Sequence, residues 1–119
     1  MRENVVKNKS FAFALRIVKM YQFLCEQKKE FVMSKQLLRS GTAVGALVRE
    51  AEQAESPADF IHKMAIALKE ANETEYWIEL LFQSNYLDEG SFTSIKSDLL
   101  ELLKLLTSII KSTKENHKK

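Results

Sequence analysis

The stretch LRSGTAVGALVREAEQAES, residues 38–56, decides the fold, because it has the periodicity of one helix yet holds two of the chain's three glycines. A glycine inside a helix costs roughly 0.5–1 kcal/mol relative to alanine. Gly41 and Gly45 lie one turn apart on one side of this helix. Two such small residues form a shallow groove into which another helix can pack. We therefore predict close helix packing at Gly41 and Gly45.

The composition of the whole chain indicates an all-α protein. Its 119 residues include three glycines and one proline, well below average usage, so few turns are available. The length is that of one domain. We predict a single domain, residues 1–119, folded as an antiparallel up-down-up-down four-helix bundle.

The cysteine content and the hydropathy of the chain predict the compartment in which the protein is found. The single Cys25 excludes an internal disulfide and any site built from several cysteines. Cys25 lies in a periodic segment, which predicts a small buried side chain in a reducing compartment. No apolar run approaches the roughly 18 residues of a membrane span, and the first ten residues lack the apolar segment of a secretory signal. We expect no membrane contact and a cytoplasmic location.

Hydrophobic periodicity predicts four helices, at about residues 10–27, 34–55, 57–84 and 91–113, followed by a frayed basic tail at residues 114–119. Ser10, Ser34 and Ser56 are the predicted N-caps. The last is the clearest, because Pro57 follows at N1 and Asp59 at N3.

The predicted apolar faces are wider than a monomeric bundle needs. The first helix is predicted to bury Phe11, Leu15, Val18 and Cys25, extended by Phe13, Ala14, Ile17, Met20, Tyr21 and Leu24. The core stripe of the second is Leu37, Gly41, Val44, Val48 and Ala51. That of the third is Phe60, Met64, Ala67, Ala71, Ile78 and Phe82, and that of the fourth is Leu99, Leu102, Leu103, Leu106, Ile109 and Ile110. A bundle helix needs a stripe a little over about 100° wide, and the first and fourth helices approach about 220°. We therefore predict self-association.

Charge is unevenly distributed along a chain whose net charge is +2. Basic residues predominate in residues 1–40 and 91–119, and acidic residues in 41–90. In the folded bundle, the basic and acidic segments must form oppositely charged surfaces, form ion pairs with each other, or form ion pairs with a neighbouring subunit. In this topology both termini lie at one end, so a basic rim there could hold nucleic-acid phosphates. The candidate phosphate contacts are Lys7, Lys9, Arg16, Lys19 and Lys111. The alternative is that these side chains are ordinary solvated charges.

The polar stretch LKEANETEYW, residues 68–77, is predicted to contribute to a structural network. Its candidate members are Arg39, Glu50, Glu70, Glu73, Glu75 and Trp77. Glu75 falls on the core face, so it needs a partner such as Arg39 or the Trp77 Nε1–H.

Catalytic and metal chemistry have weak support in this sequence. Di-iron bundles use Glu-x-x-His on two helices, and only Asp59 to His62 approaches that spacing, once. No Ser/His/Asp set, Cys/His set or Gly-rich phosphate loop is recognisable. We predict a non-enzyme without cofactor or metal, with a carboxylate–metal enzyme as the alternative.

A longer pattern runs through residues 37–81. Its members are Arg39-Ser40-Gly41, Val44-Gly45, Glu50-Ala51, Ser56, Asp59-Phe60, Ala67-Leu68-Lys69-Glu70, Glu73-Thr74 and Tyr76-Trp77. This pattern resembles the four-helix-bundle proteins encoded in intervening sequences of bacterial 23S ribosomal RNA genes. The resemblance implies an antiparallel bundle that assembles as a homopentamer. That family includes the accessory variability determinant proteins of diversity-generating retroelements, basic pentamers that bind a reverse transcriptase and nucleic acid. This chain differs from them in its net charge of only +2 and its acidic middle.

Two functional hypotheses follow. The first is a non-enzymatic homo-oligomer that binds a partner, with RNA or a nucleic-acid-bound protein such as a reverse transcriptase as the specific prediction. The second is a protein-interaction scaffold with no nucleic-acid role, in which Arg39, Glu50, Glu70 and Glu73 form contacts between helices or subunits. Salt dependence separates the two, because counterion release weakens nucleic-acid binding steeply as salt rises.

Overall fold

A computed structural model describes residues 3–118, and every regular element in that range is an α-helix. The helices are α1 (Glu3–Glu26), α2 (Met33–Glu52), α3 (Pro57–Gln83) and α4 (Glu89–Lys118). They form an elongated body of 51 × 22 × 21 Å. No helix of the described range is long and apolar enough to cross a membrane. The all-α prediction is confirmed.

Each helix of the described range packs against its two neighbours, in the cyclic order α1, α2, α3, α4. The α1–α4 contact is the smallest of the four, and the diagonal pairs do not meet. Ion pairs fix the directions: Lys7 contacts Glu52 at the end of α2, and Arg16 contacts Asp98 near the start of α4. The bundle is therefore antiparallel, and the α1–α2 pair lies opposite the α3–α4 pair.

A continuous apolar core runs along the bundle axis. Its largest fully buried side chains include Phe13, Ile17, Leu24, Leu37, Met64, Ile78, Leu81, Ile95, Leu99, Leu102 and Leu106. The predicted core stripe of α2 is confirmed, because all five of its residues are buried. In α3 and α4 the stripes are buried at their centres, while Phe60, Phe82, Leu103 and Ile109 are only partly buried.

The predicted core face of α1 is wrong at its centre, although three of the residues predicted to extend it, Phe13, Ile17 and Leu24, are buried. Phe11, Leu15 and Val18 are exposed, whereas Phe13 and Ile17 are buried. The apolar arc of about 220° is wider than the buried side of a bundle helix, so periodicity alone could not identify which part of it faces α2 and α4. Val6, which precedes the predicted helix, and Ser10, its predicted N-cap, complete the buried side together with Leu24.

Helices α1 and α2 approach each other closely at the two glycines of α2. A Cβ added at Gly41 would lie 2.8 Å from Ile17 Cγ1 and 2.9 Å from Ile17 Cγ2. A Cβ at Gly45 would lie 3.3 Å from the backbone oxygen of Ser10. Substituting a larger residue at Gly41 therefore requires the buried Ile17 to move.

The start of α2 is set by Glu30, not by the predicted N-cap Ser34. The Glu30 carboxylate accepts hydrogen bonds from the backbone N–H groups of Val32, Met33 and Ser34, at 2.7–3.1 Å. Burial disfavours the charged carboxylate, but these N–H donors outweigh it, so the pKa of Glu30 lies below its ordinary value. Ser34 itself is buried inside the helix, and its hydroxyl donates to the Glu30 carbonyl.

The other helix ends agree with the predictions only in part. The α3 start is as predicted, because the Ser56 hydroxyl accepts from the Asp59 N–H and Pro57 is the first helical residue. Helix α1 begins seven residues before Ser10, since its first turns pack on the end of α2. Residues 114–118, predicted to be frayed, continue α4. Ile110, one turn before this segment, is buried and anchors this end of α4 in the core.

Candidate assembly and nucleic-acid surfaces

Three of the five predicted phosphate contacts already pair with carboxylates of this chain. Lys7 Nζ lies 3.3 Å from Glu52 Oε1, and Lys9 Nζ lies 3.1 Å from Glu101 Oε2. Arg16 donates to Asp98 Oδ2 at 2.6 Å and to Ser94 Oγ at 2.9 Å. Phosphate would have to displace these carboxylates. Part of the basic N-terminal segment is thus neutralised by acidic side chains of α2 and α4.

The remaining two candidates, Lys19 and Lys111, are exposed and lie apart. Among the described residues neither forms an ion pair with a carboxylate. Lys111 borders a shallow groove on α3 and α4, together with Leu68, Thr107 and Lys114. Lys7 and Lys19 are separated by roughly 18 Å along α1, at 1.5 Å per residue. The five predicted contacts therefore do not form one rim at the end of the bundle.

The predicted structural network is divided into separate clusters. Arg39 joins α2 to α3 by donating to Glu73 Oε2 at 2.5 Å, and its other terminal nitrogen lies 3.7 Å from Glu70 Oε1. Trp77 Nε1–H donates to the same Glu73 oxygen at 3.1 Å. The hydrogen bonds from Trp77 and then Arg39 outweigh burial and hold the pKa of Glu73 below its ordinary value. Arg39, Glu70, Glu73 and Trp77 are thus one charged cluster on the α2–α3 surface.

Glu75 and Glu50 lie outside the Arg39 cluster. The partner of Glu75 is Lys96 of α4, at 3.5 Å, not Arg39 or Trp77 as predicted. Two residues along a helix correspond to a rotation of about 200°, so Glu75 faces α4 while Glu73 faces α2. Lys96 also bonds Glu79, and this hydrogen bond is the largest cause of a raised Lys96 pKa. Glu50 pairs with Lys63 at 3.2 Å.

The Asp59–His62 pair, the nearest approach to a di-iron motif, does not form a metal site. Asp59 accepts from the Glu55 N–H at the start of α3, and His62 is exposed. Within residues 3–118, no group of three or more His, Cys, Asp or Glu side chains is placed to hold a metal ion.

The surface that sequence reasoning missed is an apolar stripe on the outer side of α1, which we call the α1 patch. It consists of Phe11, Leu15 and Val18, which are 50%, 52% and 36% exposed. Their spacing of four and three residues aligns them on one side of the helix. The Arg49 guanidinium lies over the Phe11 ring at 5.1 Å, so the patch adjoins α2. The sequence carries no signal for this patch, because only the packing of α1 against its neighbours shows which of its apolar residues are buried.

The fold and these surfaces define a four-helix bundle whose helices are joined by ion pairs and whose first helix leaves an apolar stripe uncovered. A family model described as 23S rRNA-intervening sequence protein matches residues 2–108. This chain belongs to the 23S rRNA-intervening sequence protein family.

One solved structure is closely similar to this chain. It is the crystal structure of a protein with unknown function from the S23 ribosomal protein family, from Bacteroides thetaiotaomicron. The two sequences are 62% identical, and the match covers 93% of this chain and 99% of that chain, with a TM-score of 0.92. Among curated proteins, no match is found.

Proposed function

We propose that this chain is a non-enzymatic protein that assembles with copies of itself, as a homopentamer, and binds a partner in that assembled form. The exposed α1 patch is the observation that carries this proposal. The core of the bundle is formed by other side chains, and Phe11, Leu15 and Val18 are not members of it. Contiguous exposed apolar side chains of this kind mark interaction surfaces in soluble proteins.

RNA, or a nucleic-acid-bound protein such as a reverse transcriptase, is the proposed partner. The family description and the description of the similar structure both refer to the ribosome or its RNA. Lys111 is the best placed of the predicted phosphate contacts, because it is exposed, lies beside Lys114, and forms no ion pair within the described residues. Lys19 borders the α1 patch, so a change there would perturb assembly as well as RNA binding.

The experiment is light scattering on a size-exclusion column, at low and high salt, with and without mixed cellular RNA. We expect a pentamer at both salt concentrations and bound RNA at low salt only. Lys111→Glu should weaken RNA binding and reduce its salt dependence, without changing the protein mass. Lys35→Glu makes the same change of charge on exposed α2 surface and is the matched control. Equal RNA affinity of the two variants would refute the Lys111 assignment.

The second candidate is a protein scaffold with no nucleic-acid role. The pairing of Lys7, Lys9 and Arg16 with carboxylates favours it, because those cations are already engaged within the chain. A pentamer that carries no RNA at any salt concentration would support the scaffold and contradict the RNA proposal.

A further inference from the structure

The charges beside the α1 patch disfavour a contact between this patch and the same patch of a second copy. Arg49 covers Phe11, and Lys19 lies one turn after Leu15. Neither cation forms an ion pair with a carboxylate among the described residues. A two-fold symmetric contact would bring the cations beside one patch against the cations beside the other, and like charges facing each other are unfavourable. A contact with a different surface of the second copy avoids this cost.

A second exposed apolar surface lies on the opposite side of the bundle. Tyr76 of α3 is 57% exposed and Leu100 of α4 is 43% exposed, and we call this pair the α3–α4 patch. Lys96 contacts Glu75 and Glu79, which places the helical turn from Lys96 to Leu100 beside residues 75–79. The Tyr76 ring packs edge-on against the Trp77 ring, with ring centroids 5.0 Å apart, so one side of it contacts the indole.

Carboxylates outnumber cations around Tyr76. Glu75 and Glu79 share the single Lys96. On the other side of Tyr76, Glu70 and Glu73 share the single Arg39. Two further exposed cations, Lys69 two turns before Tyr76 and Lys104 one turn after Leu100, lie at the far margin of the patch. The surroundings of the α3–α4 patch are therefore complementary in charge to Arg49 and Lys19 beside the α1 patch.

The two patches lie at similar heights along the bundle axis. Lys9 pairs with Glu101 and Arg16 pairs with Asp98, so residues 9–16 of α1 are level with residues 98–101 of α4. Phe11 and Leu15 are thus level with Leu100 on the opposite face. A neighbouring copy can dock with its axis alongside the first, without shifting along it. Repetition of such a contact closes a ring when the rotation per copy allows it.

We propose that the α1 patch of one copy docks on the α3–α4 patch of the next copy, so that each chain uses two different surfaces in a head-to-tail contact. This inference rests on the self-association proposed above and names its second surface. Leu15 and Phe11 meet Tyr76 and Leu100 at the centre of the contact. Arg49 and Lys19 face the excess carboxylates beside Tyr76.

Two variants test the pairing when they are mixed. Leu15→Asp removes the α1 patch, and Tyr76→Asp removes the α3–α4 patch. Val32→Asp changes an exposed valine at one end of the bundle and is the matched control. We expect wild type and Val32→Asp to form the same oligomer, and each patch variant to be monomeric with an unchanged circular dichroism spectrum. If Tyr76→Asp does not fold, Leu100→Asp replaces it.

The mixture of the two patch variants gives the decisive result. Each variant retains one intact patch, and the intact patches are complementary, so the mixture should form one-to-one dimers that sedimentation velocity resolves. A mixture that stays monomeric would overturn the inference. It would also be overturned if Tyr76→Asp and Leu100→Asp, both folded, assembled as wild type does. A monomeric wild type would refute self-association itself, which is a different outcome.

Discussion

Alanine at Gly41 is the sharpest test of the close packing between α1 and α2. The added Cβ would lie 2.8 and 2.9 Å from the two γ-carbons of Ile17, closer than the non-bonded contacts that Cβ atoms make in real proteins. Both γ-carbons are bonded to the Ile17 Cβ, and the side chain is fully buried. A change of the Ile17 rotamer that moves one γ-carbon away from Gly41 therefore brings another substituent of the Ile17 Cβ into the same crowded space.

The expected magnitude is the difference between two opposing terms. Replacing a helical glycine with alanine stabilises the helix by about 0.5–1 kcal/mol. Overpacking a filled core costs about 1–3 kcal/mol. The difference lies between about 0 and 2.5 kcal/mol, and the mid-range values predict that Gly41→Ala lowers the free energy of unfolding by about 1 kcal/mol. Gly90→Ala is the control, because its Cβ would approach only Asp88 Oδ1, at 3.4 Å, and it should be neutral or stabilising.

The assay is urea unfolding followed by circular dichroism at one fixed protein concentration, since assembly makes stability concentration-dependent. A double-mutant cycle with Ile17→Ala isolates the contact. In the Ile17→Ala background, Gly41→Ala should become stabilising, because the new methyl group enters the space that the isoleucine leaves. If Gly41→Ala stabilises the protein with Ile17 as much as it stabilises the Ile17→Ala variant, the packing argument is refuted.

Three further predictions concern buried or partly buried polar groups. Glu30→Gln should lower stability by about 1–2 kcal/mol at pH 7. Because the folded-state pKa of Glu30 is lowered, its contribution is present above the unfolded-state pKa of about 4.3 and is lost as pH falls through the folded-state value. The difference between wild type and variant should therefore vanish in acid, and a difference that persists at pH 2 would contradict the capping role. Trp77→Phe should raise the pKa of Glu73, measured by carboxyl-carbon NMR titration, and an unchanged titration would show that the indole hydrogen bond is unimportant. Ser40→Ala should cost about 1 kcal/mol in chemical denaturation, because it removes the hydrogen bond between the buried Ser40 and Thr74 hydroxyls, 2.9 Å apart, and leaves Thr74 only the Glu70 carbonyl; a stability gain would contradict this.

From the sequence, the presence of each helix could be predicted better than the face that each helix buries. The core stripe of α2 could be predicted because only one of its faces carries large apolar residues. In α1, Phe11 and Phe13 are equally apolar, and only the packing of Ile17 against Gly41 decides which of them is buried. Local patterns could not decide this, because the information lies in the neighbouring helix.

Candidate site residues show the same division between local and tertiary information. The Ser56 cap depends on neighbours in sequence and was predicted. Pairing of Arg16 with Asp98 depends on the α1–α4 contact, so its charge looked free in the sequence. The role of Glu30 was missed because its side chain caps the helix from a turn upstream, outside the usual Ser-x-x-Glu spacing.

Self-association through α1 is the central claim, and the most direct test is the mass of the wild-type protein by light scattering at high salt. High salt screens charge contacts and leaves an apolar contact in place. The account predicts a salt-resistant assembly of five times the 13.7 kDa protomer mass. A clean 13.7 kDa monomer under these conditions would contradict it, because the α1 patch would then be exposed without any partner copy.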